Sequence, residues 1–111
     1  MSVQAETTGG IGVVTLGLSA LDVTTAKEFK REMGPLLKAH RRMVLDFGQV
    51  TFVDSSGLGA ILSCLRELNN SGGDLKLCNV LPPVRALFEM VRLHRIVDIL
   101  ATREDALASW R

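Results

Sequence analysis

The chain has 111 residues, 47% apolar and 23% charged, which excludes a disordered chain and fits one domain with one core. A formal net charge of +1 gives no electrostatic case for nucleic acid or an anionic membrane surface. No apolar run approaches the roughly 20 residues of a membrane span, so no membrane insertion is expected.

Residues 1–6 lack a charged leader and an apolar h-region, so no signal peptide is expected. Val3–Glu6 and Ile11–Leu18 read as two extended segments joined at Gly9-Gly10, a pair that supplies the positive φ of a tight hairpin turn. Leu21-Asp22 closes this region, and Thr24 or Thr25 can cap a first helix. Ala26, Phe29, Met33, Leu36 and Leu37 then recur at helical spacing. Gly34-Pro35 predicts a kink or an early end, because proline removes a donor and clashes with the preceding turn. Lys38, His40, Arg41 and Arg42 follow as a solvated basic cluster at the helix end.

Met43–Phe47 is short, apolar and β-prone, and is expected to be a buried strand. Val50–Val53 is an apolar run, and residues 54–57 form a polar turn before a second helix. That helix has an apolar stripe of Leu58, Ile61, Leu62, Leu65 and Leu68 and ends at Asn69–Gly73. Leu75–Val80 alternates as a strand. Pro82-Pro83 suits a helix entry, followed by Val84, Leu87, Phe88 and Val91 on one face. His94 reads as a surface or packed histidine. Ile96–Leu100 reads as a last strand, and Thr102 can cap a last helix with Glu104 and Asp105 in its first turn. The predicted fold class is α/β. It comprises a single domain over residues 1–111, with a mixed, mostly parallel sheet of about five strands and four helices mainly on one face.

Cys64 and Cys78 lack CxxC spacing and sit in apolar segments, which points to buried free thiols in a reducing cytosol. His40 and His94 are scattered, so no metal and no cofactor is expected.

The most informative stretch is Asp54-Ser55-Ser56-Gly57-Leu58-Gly59, an acid and two hydroxyls where a helix begins. A hydroxyl there can cap the helix or carry a phosphate favoured by the partial positive charge. By spacing alone the capping reading of Ser55 is the favoured one, and Ser56 is the more natural pure cap. Asp54 can cap, hold the turn, or help position a kinase and its metal, and the turn role is the favoured one. Gly57 and Gly59 suggest close packing. The stretch is not a phosphate-binding loop, since the Gly-Lys-Ser/Thr ending is absent. A serine hydrolase is disfavoured too. No Gly-x-Ser-x-Gly elbow is present, and neither histidine has a signature spacing.

With Leu21-Asp22, Phe52–Gly59, Gly72-Gly73, Pro82-Pro83-Val84, Leu87-Phe88, Leu93 and Ile96, nearly the whole chain resembles the STAS-domain family, the bacterial anti-sigma factor antagonists. The resemblance implies a cytoplasmic protein that is not an enzyme. It would bind an anti-sigma factor that is also a serine kinase, and so release the sigma factor. The kinase would phosphorylate Ser55, and a PP2C-type phosphatase would reverse this. The resemblance further implies that Asp22, Asp54, Ser56, Gly57 and Leu58 form the partner-binding surface, with Leu58 partly exposed. Where many members carry Gly-Glu-Leu-Asp, this chain has Ser19-Ala20-Leu21-Asp22, one potential kinase-facing charge fewer. The alternative is a STAS adaptor subunit of a stress-sensing or lipid-transport assembly, without a phosphorylation switch.

Overall fold

The computed structural model describes residues 2–110; Met1 and Arg111 lie outside the described residues. Strands β1 (Val3–Thr8) and β2 (Ile11–Leu16) form the expected hairpin. Gly9 and Gly10 take φ of 57° and 82°, as a tight turn between right-twisted strands requires. β1 runs to Thr8 rather than Glu6. β2 ends at Leu16, short of Leu18, because the chain leaves the sheet to form β3 (Ala20–Leu21). β3 pairs in parallel with β5 (Phe52–Val53) in a separate two-stranded sheet. The main sheet has the order β1-β2-β4-β6-β7, with β4 at Arg42–Asp46, β6 at Asp74–Cys78 and β7 at Asp98–Leu100. Only β1 is antiparallel to its neighbour.

Among the described residues four α-helices complete the fold: α1 (Ala26–Ala39), α2 (Ser55–Asn70), α3 (Pro82–Met90) and α4 (Arg103–Ala108). α1 does not end at Gly34-Pro35. It continues to Ala39, because Met33 and Leu37 on either side of Pro35 are both buried in the core. That packing outweighs the one intrahelical hydrogen bond proline forfeits. Thr25 occupies the N-cap position of α1, but its hydroxyl does not cap. It donates to the carbonyl of Ala20 and accepts from the Asp22 N–H, tying the helix entry to β3.

α2 ends in a Schellman motif. Gly73 N–H donates to Leu68 O, Gly72 N–H donates to Asn69 O, and Gly72 has φ 80°. Pro82 and Pro83 open α3 as expected. Val91 is the C-cap rather than part of the buried face, and is 48% exposed. The predicted strand at Ile96 starts only at Asp98. Leu93–Arg95 form a 3-10 turn that buries Leu93 and Val97 and leaves Ile96 outside.

The alternation of β4 and β6 divides the core. Met43, Leu45, Leu75 and Leu77 face the main cluster with Phe29, Ile61, Leu65, Leu68 and Phe88. Val44 and Cys78 face the other side, where Ala106 of α4 covers them, joined by Leu107 and Trp110. The helices are thus mainly, not entirely, on one face. The second face also buries the two polar residues Asp46 and Lys76. Asp46 accepts from Arg103, Asn79 and the Gly48 N–H. Lys76 meets Ser109, Asp98 and the Trp110 ring. Cys64 and Cys78 are buried free thiols, each pushed up to about 12, mainly by burial. Among the described residues no helix is long and apolar enough to cross a membrane.

Candidate functional site

The parallel pair β3–β5 delivers two loops to one place. Residues 22–25 leave β3 towards α1, and Asp54 leaves β5 towards α2. Asp54 joins them. Its Oδ1 accepts from Gly57 N–H at 3.0 Å, and its Oδ2 accepts from Val23 N–H at 3.0 Å. The acid therefore both caps α2 and holds the turn, and Ser56 does not cap. The predicted four-residue turn is shorter than expected: Leu58 N–H already donates to Asp54 O, so residues 55–57 form the first helical turn.

Gly57 is required by close approach. A Cβ there would lie 2.0 Å from the carbonyl oxygen of Leu21. Gly59 differs from the expectation of close packing, since a Cβ on it would meet nothing within 4 Å. Asp22 organises the neighbouring loop. Its Oδ1 accepts from both the N–H and the hydroxyl of Thr24, and these bonds hold its carboxyl below the usual carboxylate range.

Ser55 is exposed at the first helical position, and Ser56 is half-buried at the second. Among the described residues neither hydroxyl makes a hydrogen bond, and neither backbone N–H has a partner. Leu58 is half-buried against the core, as expected, while Ile61, Leu65 and Leu68 are fully within it. Asp22, Asp54, Ser55, Ser56, Gly57 and Leu58 are thus gathered around one helix N-terminus by the Asp54 bridge.

Sequence reasoning passed over two neighbours. Val23 is 72% exposed and Phe52 is 54% exposed, and both adjoin this surface through the Asp54–Val23 bond and β5. An apolar side chain beside a strand reads as core in a sequence. Phe52 points outward because Val53, next to it on β5, points into the core, and Val23 lies in the loop beyond β3.

No histidine is engaged with either serine among the described residues. His40 contacts Leu36 O and Thr7 Oγ1 at the far end of α1, and His94 is exposed in the 3-10 turn. Among the described residues no group of three or more His, Cys, Asp or Glu is placed to hold a metal ion.

The STAS domain family model matches residues 2–106. An anti-sigma F factor antagonist from Paenibacillus polymyxa is 34% identical over 110 residues, 96% of this chain and 94% of that protein. The solved structure of the anti-sigma factor antagonist SpoIIAA in its unphosphorylated form superposes with a TM-score of 0.73 at 26% identity. It covers 98% of this chain and 97% of that one. The Bacillus cell fate determinant SpoIIAA in the phosphorylated form also gives 0.73, at 28% identity, covering 98% and 99%. With its hairpin-led parallel sheet and its Asp54-bridged helix N-terminus inside the matched span, the chain belongs to the STAS domain family.

Proposed function

We propose that this chain is a cytoplasmic anti-sigma factor antagonist switched by phosphorylation at Ser55. Unphosphorylated, it binds an anti-sigma factor with serine kinase activity and so releases the sigma factor. The kinase then modifies Ser55 and ends the interaction, and a PP2C-type phosphatase restores it. Asp22, Asp54, Ser56 and Leu58 form the contact surface, and the buried Gly57 supports it from beneath by letting the helix start approach Leu21.

The observation that carries this reading is the division of labour at the helix start. Asp54 does the capping, so the exposed Ser55 hydroxyl has no structural task. A phosphoryl group there brings about −1.5 to −2 charges beside two unpartnered N–H groups at a helix N-terminus. That setting favours it by about 0.3–1 kcal/mol. Asp54 opposes part of the gain by like-charge repulsion. The fold therefore survives modification while the surface gains a dianion, and like charge across an interface costs several kcal/mol. The equal likeness to the unphosphorylated and phosphorylated forms of SpoIIAA supports a switch that leaves the fold in place.

The test is intact-mass and phosphopeptide analysis of the protein from its native cells, before and after stress. A reversible phosphate on Ser55, absent from Ser55→Ala, is expected. Its absence under every condition, with the protein folded and abundant, would refute the switch.

A further inference from the structure

Between α1 and α2, with Ser56 in its lining, lies an open groove of about 460 Å³. Its buried floor is Ala26 and Ala60, and its mouth carries Val23 and Ser56. The chemistry comes from Lys27 and Lys30 along one side and from the bare backbone of Gly59 along the other.

Two features of this groove lack a reason within the fold. Lys27 and Lys30 stand at i and i+3, an arrangement that is mildly repulsive for like charges. Among the described residues neither forms an ion pair, although Glu28 and Arg31 on the same helix pair with each other. Glu67 lies further along α2 and closes no ion pair with either lysine. Gly59 sits inside a helix, where glycine is unfavourable, yet no neighbour would touch its Cβ. Its effect is to keep the groove open and its backbone approachable.

Resting on the antagonist reading above, we infer that this groove receives an acidic segment of the anti-sigma factor, with carboxylates on Lys27 and Lys30 and an apolar side chain on Val23. The two lysines then gain the ion-pair partners that no described residue supplies. The acids Asp22 and Asp54 at the helix-start end set the polarity. The partner's acidic stretch lies along the lysines, and its basic or polar groups face the two aspartates.

The test pairs the full-length protein, by bacterial two-hybrid, with each serine-kinase anti-sigma factor of its source genome, then titrates purified positive pairs calorimetrically at low and high salt. Four forms are compared: wild type, Lys27→Glu/Lys30→Glu, Gly59→Leu, and the control Glu28→Lys/Arg31→Glu. The expected result is binding by wild type and control, weakening by about tenfold or more in the double lysine reversal, and a loss of salt dependence. Gly59→Leu binds more weakly while melting higher, an outcome a merely structural role would not produce. Wild-type affinity in both Lys27→Glu/Lys30→Glu and Gly59→Leu overturns the groove assignment and leaves the antagonist reading standing. No binding by wild type to any of these factors overturns the antagonist reading, and the groove assignment with it.

Discussion

Replacing Asp54 separates its two jobs. In Asp54→Ala the helix loses its N-cap acceptor, which costs about 1 kcal/mol. It also loses a negative charge at the helix N-terminus, worth about 0.3–1 kcal/mol. The 3.0 Å bond from Val23 N–H disappears as well. That donor is solvent-exposed and regains water, so about 0.5 kcal/mol is a fair allowance. The sum is about 2 kcal/mol, which for a domain of this size lowers the melting temperature by roughly 8–15 °C. Asp54→Asn keeps one acceptor oxygen, so it can serve Gly57 or Val23 but not both, and should lose about half as much. Ser55→Ala is the internal control. Among the described residues its hydroxyl has no partner, so stability should stay within about 0.5 kcal/mol of wild type. Urea titration followed by circular dichroism measures all three. A cost below about 0.5 kcal/mol for Asp54→Ala, or above about 1 kcal/mol for Ser55→Ala, would show that Ser55 rather than Asp54 caps α2. The assignment of a free phosphoacceptor would then fail.

Two glycines in the same helix should respond in opposite directions. Gly57→Ala drives a Cβ to 2.0 Å from Leu21 O and should cost more than about 2 kcal/mol, seen as poor expression or a sharply lowered denaturation midpoint. Gly59→Ala meets nothing and should stabilise by about 0.5–1 kcal/mol in the same titration. Glu32 governs an acid-sensitive window. The N–H of Ser2, with help from its hydroxyl and the Val3 N–H, holds its carboxyl at about 2 against an ordinary 4.5. A depressed carboxyl stabilises the fold above its ordinary value and loses that contribution as pH falls through its folded one. Melting temperature should therefore drop between about pH 4.5 and 2, and Glu32→Gln should flatten that part of the profile. Arg103 pins α4 through Asp46 at 2.9 Å, Thr15 at 3.0 Å and Glu6 at 2.8 Å. Arg103→Met leaves a buried carboxylate with only Gly48 and Asn79, a cost of about 1–3 kcal/mol. Amide exchange across α4 (Arg103–Ala108) should accelerate before that of the sheet.

The order of the large elements was legible because their periodicities are unambiguous. Phe29, Met33 and Leu37 recur on one helical face, and Leu75 and Leu77 alternate with their neighbours along a strand. The Gly9-Gly10 turn and the Gly72-Gly73 helix end were equally plain, since each places glycine at a positive φ that other residues rarely adopt. Gly34-Pro35 misled, because the proline penalty is local whereas the burial of Met33 and Leu37 is tertiary. Ile96 misled for the same kind of reason. Its β-propensity is real, but the 3-10 turn that buries Leu93 and Val97 faces it outward.

By itself the sequence determined the family-level fold and singled out Asp54–Gly59 as the informative segment, because turn chemistry and helix caps are written in neighbouring residues. It left three capping candidates at the second helix. The tertiary structure decided among them, since only the parallel pairing of β3 with β5 brings the Val23 N–H to Asp54. That long-range contact commits Asp54 to structure and leaves Ser55 free. It also sets Val23 and Lys27 beside a glycine of another helix. No local pattern encodes that juxtaposition, because it depends on how two helices far apart in the chain come together over the same sheet.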